Sequence, residues 1–172
     1  MAIKASDAIR VARSLIGTPY SELDCINLIK KVIRVAPGGV PGYTTAGTNT
    51  LWDSFHASPK YRDLTWRQEG IAGARAGMLA FKRYGADDEG HVGLVTGEGT
   101  VIHASSKCGY AVETALCEAD GWNLLAIHRH IAPAGAVEKT EKQDALRLFI
   151  VDSAERIFEP VGDFRVLIGG MD

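Results

Sequence analysis

The strongest structural signal in this chain is the stretch His91-Val92-Gly93-Leu94-Val95-Thr96-Gly97-Glu98-Gly99-Thr100-Val101-Ile102-His103-Ala104-Ser105. It predicts two short strands joined by a three-residue hairpin loop, with glycine where a positive φ is needed. In that register Thr96 faces Thr100 and Gly93 faces His103. The two histidines then share one face of the sheet as diagonal neighbours, roughly 7–8 Å apart at the backbone. A two-residue loop would instead place them on opposite faces.

A cysteine stands at the start of a predicted helix that begins at Asp24. The helix carries an apolar stripe, and its polar side carries lysine and arginine. At a helix N-terminus the free N–H groups lower the pKa of a thiol and can bind an oxyanion. Cys25 with His91 and His103 therefore suggests a thiol nucleophile, an imidazole base and a group that orients the base.

Other interpretations of these residues remain open from the sequence. Cys25 fits a buried apolar position, as most lone cysteines on such a stripe do. The two histidines could be hydrogen-bonded structural residues, or half of a metal site completed by Cys25 or by His128 and His130. The other two cysteines, Cys108 and Cys117, are expected to be small, partly buried apolar residues.

Composition narrows the classes of function. The chain has 172 residues, 46% of them hydrophobic and 23% charged, which is ordinary for a globular protein. Its formal net charge of -2 and pI near 6.2 argue against a nucleic-acid-binding surface. The apolar runs are too short for a membrane span, and the N-terminus has no signal-peptide pattern. We therefore expect synthesis in the cytoplasm and no membrane or nucleic-acid partner.

The order of predicted elements indicates an α+β fold, with N-terminal helices packed on an antiparallel sheet. Ser6 is expected to cap a first helix, and a short helix is expected over 50–55. The segment 60–76 gives no clear pattern. Strands follow from Met78 onward as an antiparallel meander. We expect one domain over 1–131, and a linker with a short β segment over 132–172 that could belong to a second small module.

Several motifs together resemble the NlpC family of cell-wall cysteine peptidases, a papain-like group. The resemblance runs from Ala8 to Ile131, and its carriers are Gly17-Thr18-Pro19-Tyr20, Asp24-Cys25, Gly77-Met78-Leu79-Ala80-Phe81, His91-Val92-Gly93-Leu94-Val95 and Val101-Ile102-His103-Ala104. The family usually follows its cysteine with Ser-Gly, where this chain has Ile26-Asn27, and has an acidic residue where this chain has Met78.

The resemblance implies a role for each matching position. Cys25 would be the nucleophile, His91 the general base and His103 the residue that orients His91. Tyr20 and Asp24 would line the substrate cleft. Trp52, in an insertion that is unusually long for the family, could stack on a sugar or cover the cleft, or could pack in the core.

The implied function is that of a cysteine endopeptidase that cuts the stem peptide of peptidoglycan through an acyl-enzyme. Without a signal peptide, a lysin encoded by a phage would fit, and it would reach the wall by another protein's help. An N-acetylmuramoyl-L-alanine amidase or another thiol amidase or acyltransferase is the first alternative. A non-catalytic wall-binding module is the second. The chemistry needs no cofactor and no metal, and the sequence leaves the oligomeric state open.

Overall fold

The computed structural model describes residues 2–52, 63–86 and 88–135. Strand β1 (Ile3–Lys4) leads directly into helix α1 (Ala5–Ser14), which is followed by α2 (Cys25–Val35) and the short α3 (Thr48–Trp52). The predicted cap at Ser6 is wrong, because the N-cap lies two residues earlier, at Lys4, which forms no side-chain hydrogen bond there. The predicted strands beyond 135 lie outside the described residues.

Seven more strands follow the helices. They are β2 (Leu64–Glu69), β3 (Leu79–Lys82), β4 (His91–Val95), β5 (Thr100–Ser105), β6 (Tyr110–Ala115), β7 (Leu124–His128) and β8 (Ile131–Ala132). A single 3-10 turn over Glu118–Asp120 precedes β7 in the described part of the chain. Within the described residues, no helix is long and apolar enough to cross a membrane.

The main sheet is antiparallel, with the strand order β2-β7-β3-β4-β5-β6. Strands β3 to β6 form the expected meander, but β7 returns to pair with β3 instead of extending the sheet beyond β6. Strands β1 and β8 form a separate parallel pair. The α+β prediction is confirmed, and the simple meander is corrected at β7.

The hairpin between β4 and β5 has the predicted register. Leu94 pairs with Ile102 and Val95 with Val101. The Thr96 N–H donates to the Thr100 carbonyl at 3.0 Å, which closes the loop. Gly97 has φ 89° and Gly99 has φ 73°, a region that favours glycine. This register places His91 and His103 on one face of the sheet.

Side chains on the two faces of the sheet form two apolar clusters. The helix-side cluster joins α1 and α2 to strand residues that include Leu79, Phe81, Val92, Leu94, Ile102 and Ala104. The opposite cluster consists of Met78, Ala80, Val95, Val101, Trp122 and Leu125. Since Leu79 and Ala80 belong to different clusters, β3 contributes side chains to both faces of the sheet.

Candidate active site

Helix α2 begins at Cys25, one residue after the predicted start, and Asp24 is its N-cap. The backbone of Asp24 is extended, at φ −74° and ψ 176°, and one carboxylate oxygen accepts the N–H of Asn27 at 2.8 Å. This is the usual side-chain cap of a helix. Cys25 is therefore the first residue of the helix, where the backbone N–H groups lack partners within the helix.

The Cys25 thiol lies between this helix end and the start of β4. Its residue is only 6% exposed, and burial raises the pKa of the thiol above its ordinary value. The backbone N–H groups of Val92, Ile26 and Cys25 itself act in the opposite direction, because they stabilise a thiolate. The sulfur thus meets the backbone of Val92, the residue that follows His91.

The two predicted histidines form a direct hydrogen bond. His91 Nε2 lies 2.8 Å from His103 Nδ1, and the ring planes are 88° apart. Beyond this pair, His103 Nε2 lies 3.2 Å from the hydroxyl oxygen of Thr114. Among the described residues, none forms a hydrogen bond with His91 Nδ1. That nitrogen is the one still available to exchange a proton with a nucleophile or substrate.

An indole that sequence reasoning missed covers the imidazole pair. Trp122 is fully buried, with its ring centroid 5.5 Å from that of His91 and 5.2 Å from that of His103. The Lys82 ammonium lies 4.6 Å from the same indole centroid and donates to the Asp120 carbonyl at 2.6 Å. A single tryptophan after an irregular segment carries no local pattern that would assign it to the site.

Burial and charge hold both imidazoles in the neutral form. Burial lowers the pKa of His91 to about 3, with further lowering from His103 and from the Lys82 ammonium. Burial and Lys82 also lower the pKa of His103, to about 4. At neutral pH each ring therefore carries one proton, so each acts as donor at one nitrogen and acceptor at the other.

Two tyrosines lie near the Cys25 sulfur, and only one was predicted. Burial raises the pKa of Tyr20, and the nearby Cys25 raises it further. The same two causes, in the same order, raise the pKa of Tyr84. Tyr84 is 66% exposed, and its ring lies so close to Gly90 that a Cβ there would meet it at 3.0 Å. A loop tyrosine in a polar segment gave no sequence signal for this position.

The remaining residues that the sequence analysis singled out lie outside the cluster of Cys25, His91 and His103 or have a structural role. Trp52 is only 8% exposed, with its ring 5.1 Å from that of Phe81, which is the packing of a core residue. Asp24 serves as the helix cap, and its proposed contact with substrate stays a prediction. Cys108 is exposed rather than partly buried. In the described ranges, no group of three or more His, Cys, Asp or Glu side chains could hold a metal ion.

The second pair of histidines lies at the far end of β7. His128 is fully buried, and its Nε2 lies 2.9 Å from the Tyr43 hydroxyl. The His130 ring lies 5.7 Å from that of Tyr43. Strand register places Leu124 beside Phe81, next to the His91 end of the sheet, so His128 lies at the other end. These two histidines therefore do not complete a cluster with His91 and His103.

Comparisons with known proteins bear on the fold. No protein-family model and no curated protein matches the chain. Among solved structures, the P60 domain of the M. avium subspecies paratuberculosis antigen MAP1204 is 18% identical, with a TM-score of 0.50 over 72% of this chain and 93% of that chain. The resuscitation promoting factor interacting protein RipA is 13% identical, with a TM-score of 0.51 over 72% of this chain and 61% of that chain.

A third structure, the peptidoglycan hydrolase RipB from Mycobacterium tuberculosis, is 22% identical, with a TM-score of 0.49 over 71% of this chain and 63% of that chain. The chain thus spans less than two thirds of the RipB and RipA chains. At these identities the likeness concerns the fold. The chain has the papain-like α+β fold of NlpC/P60 domains, in agreement with its sequence motifs.

Proposed function

We propose that this chain is a cysteine peptidase that hydrolyses amide bonds in the stem peptides of peptidoglycan. One observation carries the proposal. The thiol at the N-terminus of α2 meets the backbone N–H of Val92, the second residue of the strand that begins with His91, and His91 is hydrogen-bonded to His103. The substrate class comes from the resemblance of the motifs to the NlpC family, with which the fold agrees.

The geometry supports a two-step reaction. His91 Nδ1 takes the proton of Cys25, and the sulfur attacks the amide carbonyl carbon to form a C–S bond. The developing oxyanion is stabilised by backbone N–H groups at the start of α2. His91 then returns the proton to the leaving amine as the C–N bond breaks. Water, deprotonated by His91, cleaves the thioester and releases the carboxylate product with the free thiol.

The two ring nitrogens of His91 have different hydrogen-bonding states, and this difference suits the reaction cycle. Nε2 is occupied by His103, while Nδ1 forms no hydrogen bond within the described ranges. Since the pKa of His91 is lowered to about 3, the resting ring is neutral at physiological pH, and its protonated form arises only while the thiol attacks the substrate. Burial keeps the pKa of the Cys25 thiol raised, so proton transfer accompanies attack on the substrate.

Digestion of purified peptidoglycan by wild type and Cys25→Ala tests this proposal. We expect wild type to release soluble muropeptides and Cys25→Ala to lose at least three orders of magnitude in rate, as removal of a nucleophile does. Cys108→Ala is the matched control, because it removes an exposed thiol from the turn before β6 and should keep full activity. Full lytic activity in Cys25→Ala would refute the proposal.

Product analysis by mass spectrometry then identifies the bond. A peptidase converts one stem peptide into two shorter peptides and creates a new amino group within the stem. An amidase instead releases the intact stem from the sugar. Intact stem as the only product would assign the chain to the amidase alternative while keeping the same thiol chemistry.

A further inference from the structure

A threonine on β6 continues the hydrogen-bond chain that begins at His91. In the β5–β6 register His103 pairs with Val112 and Thr114 pairs with Val101, so His103 and Thr114 are diagonal neighbours on one face. The distance between His103 Nε2 and Thr114 Oγ1 is 3.2 Å. Glu113, between these positions on β6, lies on the opposite face and binds Arg13 of α1. Among the described residues of β6, Thr114 thus provides the side-chain hydrogen bond to the imidazole pair.

The chain of three groups allows two directions of donation. In the first, His91 Nε2–H donates to His103 Nδ1, and His103 Nε2–H donates to the Thr114 hydroxyl oxygen. In the second, the Thr114 hydroxyl donates to His103 Nε2, and His103 Nδ1–H donates to His91 Nε2. Each neutral ring has one proton, so the direction at Thr114 fixes the direction at His91.

Only the first direction leaves His91 able to act as a base toward a thiol. There, Nδ1 is unprotonated and can accept the proton of Cys25. In the second direction Nδ1 already carries the ring proton, so a neutral His91 has no lone pair to offer there. The tautomer of His91 therefore depends on the hydrogen bond between His103 and Thr114.

We propose that Thr114 is a positioning residue: its hydroxyl oxygen accepts His103 Nε2–H and so holds His91 in the tautomer with a free Nδ1. This inference rests on the proposed function for its catalytic consequence. The direction of donation is a property of the resting protein and is open to measurement without substrate. Thr114 touches neither the thiol nor a reacting atom.

The surroundings of His91 and His103 favour one fixed direction of hydrogen-bond donation. His103 is 5% exposed and His91 is half-buried beneath the fully buried Trp122, which limits exchange of their ring protons with water. Lys82 donates to the Asp120 carbonyl and lies over Trp122, so a positive charge is held beside the rings and disfavours a second proton on either one. A neutral pair shielded from water then keeps one direction of donation, and the Thr114 oxygen is the acceptor that the first direction requires.

The first test is the nitrogen NMR spectrum of the full chain labelled with ¹⁵N-histidine at neutral pH. We expect His91 and His103 each to show a protonated Nε2 and an unprotonated Nδ1, assigned by loss of signals in His91→Gln and His103→Gln. Protonated Nδ1 on both rings would overturn the inference, whatever the activity of the protein.

The second test compares three substitutions at Thr114. Thr114→Val and Thr114→Ala remove the acceptor, so we expect mixed tautomers and a fall in kcat on the order of 10–100-fold with little change in KM, the size seen when an outer hydrogen-bond partner is lost. Thr114→Ser keeps the oxygen and should retain both the tautomers and most of kcat. Thr65→Val, the same change on an exposed position of β2, is the control and should change neither.

The outcomes separate the inference from the function. Unchanged tautomers and unchanged kcat in Thr114→Val or Thr114→Ala, with wild-type activity that depends on Cys25, would overturn the role of Thr114 and leave the function intact. A second outcome is that the wild type shows the predicted tautomers, that these change in Thr114→Val, and that the wild type has no wall-lytic activity. That outcome would support the direction of the hydrogen bonds and refute the proposed function. If Thr114→Val does not fold, Thr114→Ala and Thr114→Ser give the same comparison.

Discussion

At the scale of single residues, the candidate base meets two requirements that normally conflict. His91 must be neutral to accept a proton, and it must hold that proton long enough to deliver it to a leaving amine. Burial and the Lys82 ammonium satisfy the first requirement by lowering the pKa of His91 to about 3. The hydrogen bond to His103 serves the second, because His103 Nδ1 can accept from an imidazolium at His91.

Replacing Lys82 by methionine should move the acid limb of the activity profile. Loss of the ammonium removes a cause that lowers the pKa of His91, so that pKa rises toward its ordinary value. The neutral base is then protonated at a higher pH, and the acid limb of kcat/KM should move upward by about one pH unit. The measurement is kcat/KM on a soluble muropeptide between pH 3 and 8.

Lys31→Met, on the exposed side of α2, serves as the control and should leave the profile in place. A Lys82→Met profile identical to that of wild type, in a protein of unchanged circular dichroism, would contradict the electrostatic account of His91.

At the scale of elements, one glycine sets the distance between β4 and the side chain of His103. A Cβ on Gly93 would lie 2.5 Å from Val101 Cγ2, 3.0 Å from the Ile102 carbonyl oxygen and 3.1 Å from His103 Cβ. Two of these atoms belong to the neighbouring strand's backbone or to a Cβ, which do not move freely. The position admits hydrogen alone without a shift of β4 relative to β5.

Gly93→Ala should therefore destabilise the protein by about 1–3 kcal/mol, the usual cost of overpacking. Because the shift would fall between the strands that carry His91 and His103, we also expect kcat to fall more than KM changes. Urea unfolding and steady-state kinetics measure the two effects. Gly42→Ala, where an added Cβ meets nothing within 4 Å, should leave both unchanged; equal behaviour of the two variants would count against the tight contact.

Much of the hairpin and of α2 could be predicted because their signals are local. The Gly97-Glu98-Gly99 loop fixes the register of the two strands, and Asp24 fixes the start of the helix. Strand β2 was missed, since Leu64 is its one buried residue and its remaining side chains are half-buried or exposed. An edge strand with one core residue has no alternating pattern to read.

The covering residues could not be predicted for a different reason. Trp122 reaches the histidines because β7 pairs with β3, and this pairing joins segments more than forty residues apart in sequence. Lys82 lies directly opposite His91 in the β3–β4 register, a pairing that a strand pattern alone does not align. Tyr84 lies beside Gly90 through the turn closed by the Tyr84 N–H and the Asp88 carbonyl. Neither contact leaves a trace in local composition.

At the scale of the whole molecule, the sheet separates two sets of buried histidines at its opposite ends. His91 and His103 lie under Trp122, whereas His128 is buried beside Tyr43. Burial lowers the pKa of His128 to about 3, and the neighbouring His130 and Arg129 lower it further. The folded protein thus carries several imidazoles that resist protonation.

This burial predicts a loss of stability in acid. As pH falls below about 6.5, the unfolded chain binds protons at histidine before the folded chain does, so the free energy of unfolding decreases. The contribution of His128 is complete above pH 6.5 and is lost progressively toward pH 3. A single such histidine adds at most about 1.4 kcal/mol per pH unit to the slope.

His128→Gln keeps a partner for the Tyr43 hydroxyl and removes the titration. We expect its free energy of unfolding, measured by urea denaturation between pH 4 and 7, to depend less steeply on pH than that of wild type. His130→Gln removes a less buried histidine and should change the slope less. An unchanged slope in His128→Gln would show that His128 does not link folding to pH.

The strand order has a consequence for the newly made chain. Strands β3, β4, β5 and β6 leave the ribosome in sequence and can pair as they emerge, each with its predecessor. The indole of Trp122 and strand β7 come last, and their pairing with β3 is a non-local step that closes a long loop. A nascent chain that ends before residue 122 therefore lacks the indole that covers the imidazole pair. The burial that lowers the pKa of His91 is complete only when synthesis has passed β7.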